Sequence, residues 1–349
     1  MTNKINWNKF LFRSSGVYNI MSGTVGATAT ELEELDELLL KEKTVIGLTD
    51  KQEEELKDLK AKEKLTDNQK KKIADYEDRK TRKKELTPKQ EERKKELLLK
   101  KKDETLPKGV QTYLKKLYRE ETYNRRKRLE SKYILKGNLQ EEEAITMYSM
   151  YINHPFSNNK ERAYNEYISG EYDMYIGKDI YNVDEGFDTK CSFDLSTFPF
   201  PDDVLDWNYY WQNMSYMWLS GAKKWTTVYC LTNTPSSMIE DMIYREKFKW
   251  EGNEIPLWKK LEIINNNTFD DKTFASEMMK QDAAPSLDSE TEDNLKAVDV
   301  VNNFVPMELK ERVIEKVVHF DESIPKRIIE RVKLCRKFLV TLSKQNDTN

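Results

Sequence analysis

Two aspartates and a lysine are spaced so that they can share one metal site. Asp188-Thr189-Lys190 lies in an apparent strand from Phe187 to Cys191, and Asp173 stands about 15 residues upstream in Gly170-Glu171-Tyr172-Asp173. Side chains alternate faces along a strand, so Asp188 and Lys190 point the same way. Carboxylates of this kind hold Mg²⁺, and a lysine beside them can orient an attacking water or neutralise developing charge. The chemistry would be metal-assisted phosphodiester hydrolysis. Asp and Lys are common residues and such a set also arises by chance, so the surrounding elements must decide.

Those elements are ordered usefully. Glu141 lies early in a helix expected from Leu139 to Met150, just beyond a break at Gly137. It can send a third carboxylate toward the site or merely complement the helix dipole. Residues 171–176 and 180–183 read as a hairpin around Gly177-Lys178-Asp179, followed by a strand at 187–192. An aromatic helix is expected from Asp206 or Asn208 through Leu219, stopped by Gly221. On it Gln212 and Tyr216 are four residues apart and share a face. Glutamine can hydrogen-bond a phosphate, sugar or water, and tyrosine can stack or hydrogen-bond. Trp211, Met214 and Met217 of the same helix read as core. Trp225 to Leu231 reads as a further strand, and Pro235-Ser236 opens the next helix. Strand, strand, strand, helix, strand, helix suits an α/β (α+β) core, a small mixed sheet flanked by helices.

The flanking regions differ in character. Ser14 or Ser15 is read as the N-cap of a short apolar helix, and a second helix is expected over 30–43. Leu48-Thr49-Asp50-Lys51-Gln52, Leu65-Thr66-Asp67-Asn68-Gln69 and Leu86-Thr87-Pro88-Lys89-Gln90 form a weak repeat. Each places Gln three residues after Thr, the spacing of a capping box. Together they predict charged helical hairpins or a coiled-coil-like arm, which could be a spacer or a DNA contact. Leu106-Pro107-Lys108-Gly109 ends that stretch and a longer helix through Tyr113 and Tyr118 follows. Residues 268–297 read as a polar loop, and a C-terminal helical pair is expected over 306–319 and 324–344. The implied divisions are 1–40, 41–130, 131–265, 266–300 and 301–349.

Composition supports this partition. The chain has 349 residues, 35% of them charged, with a mean hydropathy of -0.84. That is too polar for one compact globule. Net charge is -3, yet about 30 Lys and Arg face about 20 Asp and Glu between Lys41 and Glu130. A basic stretch beside acidic catalytic residues suits a polyanionic substrate, although Lys/Glu-rich helices can also be simply soluble. No apolar run is long enough to span a bilayer and no secretory signal is evident, so no membrane and a cytoplasmic setting are expected. Three distant cysteines, Cys191, Cys230 and Cys335, give no zinc or iron–sulfur spacing. With only His154 and His319, histidine-based chemistry is poorly supplied.

Taken in order, these motifs resemble the PD-(D/E)xK nuclease superfamily, and within it the lambda exonuclease-like, or YqaJ-type viral recombinase, family. Lys136 to Ala144 is similar to the family's Gly-x-x-x-Glu helix, and Asp173 to the acid of its second motif, with Tyr172 where proline is often found. Asp188-Thr189-Lys190-Cys191-Ser192-Phe193 resembles the Glu-x-Lys-Cys-Pro-Phe segment, Asp replacing Glu. Gln212 to Trp218 resembles the Gln-x-x-x-Tyr motif. Ser15 to Ile20 is similar to the helix start that binds the substrate's terminal phosphate. The similarity covers about residues 10–25 and 130–235, with the Lys/Glu-rich stretch as an insertion.

The resemblance implies a restriction-endonuclease-like core. It also implies Asp173, Asp188 and the Thr189 carbonyl as ligands of Mg²⁺ (or Mn²⁺), with Glu141 completing a second metal position. Lys190 would position or deprotonate the water, and Gln212 would hold the water or the DNA backbone. Tyr216 would lie at the DNA, and Ser15 with Arg13 or Lys9 would bind a terminal 5′-phosphate. The expected activity is 5′→3′ digestion of linear double-stranded DNA, leaving 3′ single strands for a single-strand annealing protein. A homo-oligomer, possible as a ring, is expected. The alternatives are a restriction-like or structure-specific endonuclease, and a non-catalytic DNA-binding scaffold.

Overall fold

The structure, a computed structural model, describes residues 5–126, 131–281 and 291–347. Phe12–Arg13 (β1) and Val17–Met21 (α1) come first. Helices Ala29–Lys43 (α2), Asp50–Lys60 (α3), Asp67–Thr81 (α4), Pro88–Lys102 (α5), Lys108–Thr122 (α6) and Lys132–Tyr151 (α7) follow. Then come Ala163–Tyr164 (β2), Ile168–Gly170 (β3), Met174–Asp179 (β4), Asn182–Cys191 (β5), Trp207–Ser220 (α8) and Lys224–Cys230 (β6). The chain ends with Ser236–Lys247 (α9), Leu257–Asn265 (α10), Asp271–Lys280 (α11), Glu292–Asn302 (α12), Val313–His319 (β7) and Ile324–Asp347 (α13). They form two compact units, Ser22–Gln111 and the remainder, Met1–Met21 with Thr112–Asn349.

The Ser22–Gln111 unit is built from capped helices. The side chains of Gln52, Gln69 and Gln90 accept the backbone N–H of Thr49, Thr66 and Thr87 at 3.0, 2.9 and 3.1 Å, closing the three boxes the repeat predicts. A fourth box, Thr28 with Glu31, starts α2 at Ala29, one residue before the expected 30–43. Helix α2 packs on α5 through Leu35, Leu38 and Leu97, and α3 packs on α4. Ion pairs lock each pair of helices: Arg93 and Lys100 hold Glu34 and Glu31, and Lys60 holds Glu77. Between the pairs the backbone crosses at Val45 and Lys83. The unit carries 23 Lys and Arg against 22 Asp and Glu. The five acids of 31–37 offset most of the positive excess that begins at Lys41.

In the other unit a four-stranded sheet runs in the order β4-β5-β6-β7. β5 is antiparallel to β4 and parallel to β6, and β6 is antiparallel to β7. One face is covered by α7, whose Ala144, Ile145, Met147 and Tyr148 pack on Met174, Phe187, Val228, Cys230 and Val313. The other face is covered by α8, where Asn213 donates to Thr227 Oγ1 at 2.7 Å. A smaller sheet, β1-β3-β2, pairs the N-terminal β1 parallel to β3. Helix α13 buries Ile328, Val332, Cys335 and Leu339 along one stripe, against α1 and α8 among others. Among the described residues no helix is long and apolar enough to cross a membrane.

Several expectations need correction. Residues 313–319 form strand β7, not a helix. Val313, Ile314, Val317 and Val318 are β-branched, and the otherwise unpaired edge of β6 supplies the ladder they need. Within 268–297, α11 and α12 replace the expected loop, α11 being capped by Asp270, which accepts from Thr273 N at 2.7 Å. Residues 282–290 lie outside the described residues. Residues 182–191 are one continuous strand and the hairpin turns at Ile180 and Tyr181, not around Gly177. Ser14 and Ser15 cap no helix but begin a single 3₁₀ turn, Ser14–Gly16.

Gly137 does not break α7. The helix starts at Lys132, capped by Ser131, and its first turns are anchored by a buried lysine. Lys136 is fully buried and donates to the carbonyls of Phe193 and Thr232 at 2.8 and 2.7 Å. Burial lowers its pKa from the usual lysine value to about 8. Below pH 8 the folded chain bears the cost of a desolvated ammonium. Between there and the unfolded value the unfolded chain binds the extra proton, so stability rises with pH. Relative to Lys136→Met, the wild type should therefore gain on the order of 2–3 kcal/mol between pH 7 and 10. Parallel urea titrations would measure it, and a flat difference would show that Lys136 stays charged in the fold across this range.

Candidate active site

Asp173, Asp188, Lys190, Glu141 and Gln212 line one cleft of about 680 Å³ in the sheet-containing unit. They reach it from four places in the chain. Asp188 and Lys190 project from β5 on the α8 side of the sheet, since Phe187 faces α7. Asp173 lies immediately before β4, and Glu141 one turn beyond Gly137 on α7. Gln212 belongs to α8, whose Asp206 cap accepts from Asn208 N at 2.7 Å and whose last turn closes on left-handed Gly221.

Asp173 is held by the next strand. Its Oδ2 accepts from both the backbone N–H and the hydroxyl of Thr189, each at 2.7 Å. Burial first, then the neighbouring Asp188 carboxylate, push the Asp173 pKa up to about 7, against the pull of Lys190 and Thr189. Asp188 is 2% exposed and ion-pairs with the Lys190 ammonium. Burial works against the charged lysine, but Asp188 and Asp173 outweigh it and hold its pKa above the ordinary value. Lys190 also sits 4.9 Å from the ring centroid of Tyr209 on α8.

Tyr172, the neighbour of Asp173, is a buried strut. Its hydroxyl donates to the Ile180 carbonyl, and its ring packs edge-on against Tyr216 and Trp225. Gln212 Nε2 donates to Tyr216 Oη at 2.8 Å, and Tyr216 Oη donates to the Glu171 carbonyl at 2.9 Å. Tyr216 is 3% exposed, so it braces the Glu171–Asp173 loop and orients Gln212. Gly170 permits this packing, because a Cβ there would lie 2.7 Å from both the Tyr216 ring and Ser14 Oγ.

Glu141 is partly exposed and accepts from Asn158 Nδ2 at 2.6 Å and Lys160 Nζ at 3.4 Å. Asn159 donates to the Tyr172 carbonyl at 2.9 Å, and Arg162 pairs with Glu171 at 2.7 Å. The sequence reading missed this Asn158–Arg162 segment. A polar run a dozen residues before a candidate acid was the available signal. Of the two N-terminal serines, Ser14 is buried and donates to the Ser169 carbonyl at 3.2 Å, whereas Ser15 is exposed and lines the cleft with Arg13. Lys9 does not line it.

The cleft offers hard oxygen donors from Glu141, Asp173 and Asp188. Among the described residues no three of His, Cys, Asp and Glu form a ready-made metal cage. Two closely coupled carboxylates, one with a raised pKa, are nevertheless a donor pair that a divalent cation suits, since Mg²⁺ is commonly held by one or two carboxylates with water and phosphate completing its shell.

No protein-family model matches the chain, and no curated protein matches it either. Among solved structures, a phage-related exonuclease from Haemophilus somnus 129PT matches over 97% of this chain and 98% of its own, with a TM-score of 0.51 and 16% identity. The likeness shows a shared fold: this chain has the α/β architecture of a phage exonuclease.

Proposed function

We propose that the chain is a divalent-metal-dependent deoxyribonuclease of the PD-(D/E)xK kind, of the lambda exonuclease-like branch, acting 5′→3′ on linear double-stranded DNA. The observation that carries this reading is the convergence of Asp173, Asp188, Lys190, Glu141 and Gln212 in one cleft of a phage-exonuclease-like fold. Asp173 and Asp188, with the Thr189 carbonyl, would hold Mg²⁺ or Mn²⁺, and Glu141 would serve a second ion. Such ions stabilise the charge that builds on the attacked phosphoryl group and its leaving oxygen.

The chain's own groups do the rest. Lys190, kept charged by its two aspartates, positions the attacking water and balances negative charge rather than removing a proton. Gln212, oriented by Tyr216, offers its amide to that water or to the backbone. Arg13 forms no ion pair among the described residues and stands with Ser15 at the cleft's edge, where a terminal 5′-phosphate would take charge-assisted hydrogen bonds. The products would be 3′ single strands, substrates for an annealing protein, and the working form a homo-oligomer.

Linear blunt, nicked and closed circular DNA, each incubated with Mg²⁺, test the reading. Linear DNA alone should disappear, and removing its 5′-phosphate should slow digestion several-fold. Cutting of closed circles would instead favour the endonuclease, and loss of no DNA would reject hydrolysis.

A further inference from the structure

A second chamber, of about 450 Å³, opens on the other side of Arg13, Ser15 and Arg162, which line both it and the carboxylate cleft. Its volume falls in the range of small-molecule sites, ~300–1,000 Å³. The wall residues are unlike those of a phosphate pocket. Phe10, Tyr113 and Leu117 give flat apolar surface, and Glu120 and Glu121 give carboxylates. Gly16 makes the Tyr113 wall possible, since a Cβ there would lie 2.8 Å from the tyrosine hydroxyl.

Four cations line the chamber, Arg13 and Arg162 at the shared wall and Lys116 and Arg126 beyond it. Arg162 is paired with Glu171, and Arg126 with Glu121, leaving Arg13 as the chamber's guanidinium with no ion pair of its own among the described residues. Burial first, then the nearby Arg126 and Arg162, lower the Arg13 pKa against the opposing pull of Glu121 and Tyr113, so positive charge is in excess around it. Beyond that wall Glu120 is paired with Lys116 at 3.6 Å and Glu121 with Arg126, so among the described residues the interior offers a further phosphate no unpaired cation. Aromatic and aliphatic faces beside carboxylate acceptors suit a nucleobase, whose ring stacks and whose exocyclic amino group donates.

On the nuclease reading above, we infer that this chamber binds the base of one extra nucleotide lying 5′ of the phosphate held by Arg13 and Ser15, with adenine, cytosine and guanine preferred over thymine. A blunt end then places its terminal phosphate at the wall and releases a mononucleotide. A one-nucleotide 5′ overhang places its first internal phosphate there and releases a dinucleotide. The reaction is the same hydrolysis: the P–O3′ bond breaks, and water supplies the hydroxyl of the new 5′-phosphate and the proton of the leaving 3′ oxygen.

Two measurements on the full chain test this. Titration calorimetry without metal should show d(CpA) binding at least tenfold more tightly than 5′-dAMP, and several-fold more tightly than d(TpA). In Leu117→Trp, which fills the chamber, the gap between d(CpA) and 5′-dAMP should close. Equal or undetectable binding of d(CpA) and 5′-dAMP to the wild type overturns the proposal, whether or not DNA is digested. With Mg²⁺, DNA carrying a one-nucleotide 5′ overhang of cytosine should yield a dinucleotide as first product. Mononucleotide alone, from a protein that digests blunt ends, also overturns it. A chain that digests no DNA yet keeps the tenfold gap retains the chamber and loses the nuclease reading.

Discussion

Asp188→Asn should lower Mg²⁺-dependent digestion of linear DNA on the order of 10³-fold, with only a modest change in stability. The two effects separate because of how the charges are shared. Lys190 has two acidic neighbours, Asp188 and Asp173. The amide fills the same space and leaves Lys190 facing Asp173, so no buried ammonium is stranded, an outcome that would otherwise cost about 3–5 kcal/mol. What disappears is one of two carboxylates able to hold the cation. Single-turnover digestion alongside thermal melting checks both halves. Activity above a tenth of wild type would remove Asp188 from the chemistry. A melting point far below wild type would show that the pair is chiefly structural.

The second large effect is on stability and arises at Gly186. This residue of β5 lies directly across from Trp225 of β6, and a Cβ on it would overlap the six-membered ring of the indole. Trp225 is fully buried and packs against Tyr172 and Tyr216, the two residues that brace Asp173 and Gln212. The indole cannot withdraw without disturbing both. Gly186→Ala should cost about 3 kcal/mol or more, at the upper end for overpacking, and lower Tm by roughly 5–10 °C. Digestion should weaken as well, because the displaced ring carries the braces with it. Gly137→Ala is the contrast: nothing lies within 4 Å of its Cβ position, so mid-helix alanine should stabilise by about 1 kcal/mol. Equal melting of wild type and Gly186→Ala would falsify this account of the Gly186–Trp225 contact.

Much of the site was legible because its residues sit on elements with strong local signals. The two-residue period placed Asp188 and Lys190 together, and an Asp cap with a Gly stop bounded the helix that carries Gln212. The Thr/Gln boxes likewise announced α3, α4 and α5. What failed depends on partners distant in sequence. Val313 to His319 contains apolar spacings compatible with a helix, and only the edge of β6 makes it a strand. The first turns of α7 looked interrupted at Gly137, because the anchoring of Lys136 by carbonyls of Phe193 and Thr232 is invisible in a local window. Helix α11 depends on Asp270, which Asn233 contacts from across the fold. The brace provided by Tyr216 could not be read either, since a lone tyrosine on an aromatic helix gives no hint of where its hydroxyl ends.

The placement of β7 has a consequence for how the protein is made. β6 ends at Cys230, and the strand that covers its outer edge begins only at Val313, with α9, α10, α11 and α12 synthesised in between. During translation the carboxylate-bearing β5 and its neighbour β6 emerge long before the edge of β6 can be paired. For that interval the nascent chain presents a row of unsatisfied backbone groups, a template for pairing with another chain. Completion of the sheet is thus a late, long-range event, and the last tenth of the chain closes a framework whose chemistry was laid down in the middle.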